Sequence, residues 1–215
     1  IGSSTINPLT TLVAALIDHA AQSGSPISAQ SAAQTVATSL GLTLPTGTSL
    51  LNYDPLGQND AGSLPAQKAA AQIATLVGIA ADSDALVAKT IMTNWAHALM
   101  NPVTGIDLGD LDNLDSTELS ALLANTNVSV TPTLVTHINE ATTSIQNSTT
   151  FDGITSSQSQ YLDTTAPAQI TLKSSSNGVV KVQLALAPLQ TTPDSWSYST
   201  NGGASWTTGL QTGTW

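Results

Sequence analysis

The sequence predicts a multidomain α and β protein, an N-terminal all-α helical bundle followed by a β-sandwich module. Three observations lead there. Up to about residue 146 the chain is rich in Ala, Leu and Thr, with apolar residues at helical spacing. From Asn147 to about Thr164 nearly every residue is Ser, Thr, Gln, Asn or Asp. After residue 165 short runs alternate apolar with polar, broken by Gly, Asn and Pro. The expected division is therefore a helical bundle over 1–146, a polar linker over 147–164 and a β module over 165–215.

The first helix is signalled by Asn7 as cap and Pro8 at the first helical position, with Leu9, Leu12, Val13, Leu16, Ile17 and Ala20 on one stripe and Gly24 as its end. Ser28 opens a second helix with Ala32, Ala33, Val36, Ala37 and Leu40 inward, and Gly41 stands where a helix turns left-handed. Pro45, Gly47, Pro55, Gly57 and Gly62 make the next stretch a long connection, which Leu50, Leu51, Tyr53 and Leu56 are expected to pin to the core. Ser63 caps a third helix carrying Ile73, Leu76, Val77 and Ala80, and Ser83 caps a fourth carrying Leu86, Val87, Ile91, Trp95 and Leu99. Asp115 with Glu118 three residues on reads as a capping box before Leu119, Leu122 and Leu123. Thr131-Pro132 opens a last helix with Leu134, Val135, Ile138, Ala141 and Ile145. In the linker only Phe151, Ile154, Tyr161 and Leu162 are large and apolar. Beyond it, Ile170 and Leu172, then Val180, Val182, Leu184 and Leu186, alternate as half-buried strands do. Trp196 and Tyr198 follow, and Asn201-Gly202-Gly203 reads as a hairpin turn before Ser205-Trp206-Thr207.

Charge excludes several functions. The net charge is −10, the only cations besides His are Lys68, Lys89, Lys173 and Lys181, and there is no Arg. Phosphate binding needs a cationic patch that four scattered lysines cannot assemble, so neither nucleic acid nor an anionic membrane surface is an expected partner. No apolar run approaches the ~18 residues of a membrane span. Zero Cys removes disulfides, thiol catalysis and the common structural zinc sites. With 8% charged residues, solubility rests on Ser, Thr, Asn and Gln, which suits a secreted, extracellular chain at a cell surface. Its start at Ile1, without Met or signal segment, reads as a processed product or an excised piece.

Clustered oxygen ligands are what a hard cation such as Ca²⁺ requires. The densest cluster is Asp107, Asp110, Asp112, Asn113 and Asp115, with Glu118 beyond, yet it departs from an EF-hand at Leu114, Asp115 and Ala121. Asp152 and Asp163 flank the linker, where Ca²⁺ would stiffen a joint. Asp54, Asn59 and Asp60 form a third group. For each, helix capping or turn chemistry is the competing explanation. His19, His97 and His137 fall on three different helices, and His137 with Glu140 is no di-metal motif in a chain with two Glu. No Gly-x-Ser-x-Gly elbow or phosphate-cradling loop occurs, so the chain is read as non-enzymatic. Trp196, Tyr198, Trp206 and Trp215 are candidate contacts for glycans or a partner chain, with core packing as the alternative.

Asp163-Thr-Thr-Ala-Pro167, followed by Trp196-Ser-Tyr-Ser-Thr-Asn-Gly-Gly-Ala-Ser-Trp206, resembles the immunoglobulin-like repeats of very large bacterial adhesins and calcium-dependent repeat proteins. Asn7-Pro-Leu-Thr-Thr-Leu12, Leu40-Gly-Leu42 and Tyr53-Asp-Pro-Leu56 resemble the helical modules beside such repeats. The likeness implies an immunoglobulin-like sandwich and a non-catalytic structural or adhesive role, with neighbouring domains, copies of the same protein or surface glycans as partners. Such repeats run to about 100 residues, whereas 53 lie from Asp163 to Trp215. A sandwich lacking strands would accept them from a neighbour. That opens a filament or surface-layer subunit as a second reading and a carbohydrate-binding module as a third.

Overall fold

The computed structural model describes residues 7–57, 60–101 and 110–162 with their side chains, and the strands 169–176, 179–185, 196–198 and 207–209 as backbone. The chain divides into two units, 1–162 and 163–215.

In the first unit seven helices are described: α1 (Pro8–Gln22), α2 (Ala29–Ser39), α3 (Ser63–Ala81), α4 (Ala85–Met100), α5 (Ser116–Leu122), α6 (Pro132–Gln146) and α7 (Phe151–Leu162). Local chemistry explains most boundaries. Asn7 Oδ1 accepts from Thr10 N and Thr10 Oγ1 accepts from Asn7 N, each at 3.0 Å, a reciprocal cap in front of Pro8. Ser28 Oγ accepts from Ser31 N, Asp115 Oδ1 from Glu118 N, and Thr131 Oγ1 from Leu134 N. Gly24 and Gly41 take φ of 74° and 64°, which lets the chain reverse and Ser25 N and Leu42 N reach back to the carbonyls of Ala20 and Ala37.

Two expected caps fall elsewhere. Asp84, not Ser83, caps α4, its Oδ1 accepting from Leu86 N and Val87 N. Asp82 and Ser83 both sit at positive φ to make the tight α3–α4 turn, so Ser83 cannot take the extended cap conformation. Ser63 is the first residue of α3, after Gly62, because its hydroxyl is held by Tyr53 and Asp60.

The core joins Leu9, Leu12, Val13 and Leu16 of α1 to Ala32, Ala33 and Val36 of α2, Ile73 and Leu76 of α3, and Ile91 and Trp95 of α4. Trp95, expected inside, is fully buried. Burial of such side chains contributes roughly 1.5–3 kcal/mol each. Leu50 and Tyr53 pin the long connection as expected, but Leu56 is 65% exposed and pins nothing.

The expected polar linker is replaced over 151–162 by α7, which packs on α3 and α6. Phe151, Ile154, Tyr161 and Leu162 recur at helical spacing, and Thr150 Oγ1 accepts from Gly153 N in the manner of a cap. The partner faces are small enough to receive a mostly polar helix. Ile154 packs with Ala71 and Ile145, and Leu162 Cδ2 approaches Gly78 so closely that a Cβ there would lie 2.6 Å away.

In the second unit β1 (Gln169–Ser176) pairs antiparallel with β2 (Val179–Ala185), Ile170 opposite Leu184 and Leu172 opposite Val182, with an irregularity between Leu172 and Ser174. β3 (Trp196–Tyr198) pairs antiparallel with β4 (Thr207–Gly209), Trp196 opposite Gly209. The immunoglobulin-like sandwich is overturned. The fully described architecture is purely helical, and the described strands form two separate two-stranded ladders. Alternation specifies a half-buried strand but not a second sheet to bury it against, and a hairpin satisfies the same pattern. The expected turn at Asn201–Gly203 lies outside the described residues.

Candidate functional site

The acidic segment before α5 becomes a clasp on α6. Leu111 and Leu114 are buried, and Leu114 exchanges two hydrogen bonds with the Asn139 side chain, its N–H donating to Oδ1 at 3.1 Å and its carbonyl accepting from Nδ2 at 2.8 Å. The Asp112 carbonyl accepts from Thr143 Oγ1 at 3.2 Å. Asp115 completes a capping box, its Oδ1 accepting from Thr117 N and Glu118 N while Glu118 Oε2 accepts from Asp115 N. Asp110 Oδ2 accepts from Asn113 Nδ2 at 3.4 Å. Asp152 lies exposed in the first turn of α7. Asp107 and Asp163 lie outside the described residues. Among the described residues no three His, Asp or Glu side chains are grouped to hold a metal ion.

A second clasp closes the long connection. Tyr53 donates its hydroxyl hydrogen to Asp60 Oδ1 at 2.5 Å, and the same oxygen accepts from Gly62 N at 2.8 Å and Ser63 Oγ at 3.2 Å. The Tyr53 hydrogen bond, foremost, holds the Asp60 carboxyl below the usual range. Burial, with the carboxylate beside it, pushes the Tyr53 hydroxyl up. Asp54 accepts from Leu56 N in a turn, and Asn59 lies outside the described residues. Of the aromatic candidates, Trp196 and Tyr198 are on β3, whereas Trp206 and Trp215 lie outside the described residues.

Three features carried little signal in the sequence. A groove of about 640 Å³ runs between α1, α3 and α4, where Ala15, Ile73, Val77, Ala88 and Met92 meet Asp18, His19 and Lys89. Ala14, Ala15, Ala74 and Ala88 are the small residues of its lining, and such volumes fall in the range of small-ligand clefts. His19 and His97 pack edge to face across α1 and α4 with ring centroids 5.2 Å apart. His137 of α6 is 5% exposed and stacks obliquely on Tyr161 of α7 at 5.4 Å, and its Nε2 is buried with no hydrogen-bond partner. Burial pushes its pKa down, against the upward pull of Glu140 and of a hydrogen bond to the Tyr161 carbonyl.

No family model, curated protein or solved structure matches the chain.

Proposed function

We propose that the chain is a non-catalytic structural and adhesive module of a secreted bacterial surface protein. The observation that carries this reading is what its polar side chains do. Asn7, Ser28, Asp84, Asp115 and Thr131 cap helices, and Asp60 and Asn139 fasten loops to the bundle. Each such bond satisfies a backbone or hydroxyl group from within the chain instead of from water. The product is a self-contained spacer that needs few charges, with the α1/α3/α4 groove as a contact surface.

Displaying the full chain on a non-adherent cell and measuring retention under flow tests the reading. Retention above that of a cell displaying an unrelated helical protein is expected, on abiotic or glycan-coated surfaces. Equal retention on every surface would remove the adhesive role.

A second reading, a self-assembling filament or surface-layer subunit, is favoured by the two-stranded ladders. Among the described residues each strand has one partner, and a two-stranded ladder is a template on which a strand of another copy would pair. Ordered polymers in electron micrographs of concentrated protein support it, and persistent monomers count against it.

A further inference from the structure

The last turn of α7 is seated by two neighbouring residues. Leu162 fills the notch at Gly78 of α3, and Tyr161 covers His137 of α6. The rest of α7 is held separately, by Ile154 in its small cluster, by the 2.8 Å hydroxyl contact of Ser157 with Ser144, and by Gln158 Nε2 donating to the Ala71 carbonyl and Thr75 Oγ1. The turn 159–162 can therefore open without the whole helix leaving.

We propose that His137 is an acid-operated latch, which holds the last turn of α7 on the bundle while neutral and releases it when protonated. The imidazole faces Tyr161 of α7, ring against ring at 5.4 Å, and its buried Nε2 has no hydrogen-bond partner. The neutral ring then leaves one uncharged polar atom unpaired, a tolerable cost. Protonation puts a hydrogen and a charge on Nε2 where nothing accepts either, a far larger penalty. Opening the Tyr161 lid lets water reach Nε2.

The surrounding charges do not rescue the closed cation. On α6 itself Glu140 favours it, but burial outweighs that pull. On α7 the titratable groups are Tyr161 and Asp152, the latter in the opposite, first turn. On α3 the charged residue is Lys68, a cation bound to the Gln146 carbonyl at the far end of α6. On α5 it is Glu118, engaged in the Asp115 capping box. Asp110, Asp112 and Asp115 belong to the segment fastened at Asn139 and Thr143.

The sign follows from a folded-state pKa below the unfolded value of about 6.5. The closed turn is fully favoured above about pH 6.5 and loses stability as pH falls below it towards the folded value, because the open form takes up the proton first. Since the second unit begins at Asp163, the turn released is the one leading into it.

The test is nuclear magnetic resonance of the full chain, following the His137 ring and the amides of 159–162 between pH 8 and pH 4. Exchange rates are corrected for their intrinsic pH dependence. His137 is expected to titrate below the ordinary histidine value, in step with at least a tenfold loss of amide protection at 159–162 while α1 keeps its own. In His137→Gln, which carries no charge at any pH, protection of the turn should become independent of pH. Charging of His137 with the turn still protected, or the same acid loss in His137→Gln, overturns the latch. Should the variant fail to fold, the wild-type titration alone decides.

Discussion

α5 and α7 are both short helices packed on α6, with 7 and 12 residues, yet they are held by opposite means. α5 has a capping box at its start and buries Leu119 and Leu122, with Leu123 just past its end, in the main core. α7 buries one large aliphatic side chain fully, Ile154, and otherwise relies on hydroxyl and amide contacts and on a glycine notch. A mostly polar segment can thus join a bundle when the receiving surface is Ala, Gly and Ser. The difference should show in cooperativity: α5 belongs to the global unfolding unit and α7 to a weaker local one.

The largest expected effect comes from Leu119→Ala. Leu119 is fully buried in the main cluster, so truncation should cost about 2–5 kcal/mol and lower the thermal midpoint of the whole helical unit. Ile154→Ala should remove about 2 kcal/mol or more from α7's docking while leaving that midpoint nearly in place. Hydrogen exchange resolved by segment checks it: protection should fall over 151–162 only. Equal global losses from the two substitutions would erase the distinction.

Asp115→Ala is next, at about 1 kcal/mol for a lost cap, read as a lower denaturation midpoint. The bond from the residue-115 backbone N–H to Glu118 Oε2 survives the substitution, so the loss is that of the Asp115 side chain alone. The Asp60 clasp gives a pH signature on the α5-like, strongly held side. Its folded pKa is depressed, so its contribution is present above about pH 3.9, the unfolded value, and is lost as pH falls through the folded value. Acid denaturation of Tyr53→Phe, which removes the main cause of the shift, should therefore be less steep below pH 4 than that of the natural chain. The smallest effect belongs to Gly78→Ala. The new Cβ displaces Leu162, but the helical Gly→Ala gain of about 1 kcal/mol offsets it, so the thermal midpoint should barely move while exchange at 159–162 quickens.

The contrast also explains what was legible beforehand. Asn7-Pro8, Ser28, Asp115 with Glu118, and Thr131-Pro132 announce helix starts through short-range bonds, and the structure makes those bonds. Trp95 and Tyr53 were readable as core because no other role suits a large apolar ring among Ala and Leu. α7 was hidden because its few apolar residues suggested nothing to bury. The spacing of Phe151, Ile154, Tyr161 and Leu162, with Thr150 in front, was the signal available. Which of two adjacent polar residues caps α4 depended on backbone angles in the turn, and composition does not carry those. The acidic cluster was visible, but its use as a clasp on Asn139 and Thr143 is a contact across 25 to 31 residues of chain. The orphaned Nε2 of His137 and the α1/α3/α4 groove are likewise products of tertiary packing.

The β ladders teach the complementary lesson. Ile170, Leu172, Val180, Val182 and Leu184 alternate strictly and lie in an antiparallel pair, but the alternation does not imply the sandwich expected from it. Period-two patterning reports one buried face, not what buries it.

The stretch 151–162 is a helix docked on α3 and α6 and not a loose polar linker. Hydrogen exchange of the full chain at pH 7.5, resolved to the peptide spanning 151–162, tests it most directly. Slow exchange is expected there, less protected than α1 but at rates well below those of a random coil. Exchange of 151–162 at the rate of an unstructured peptide would contradict it.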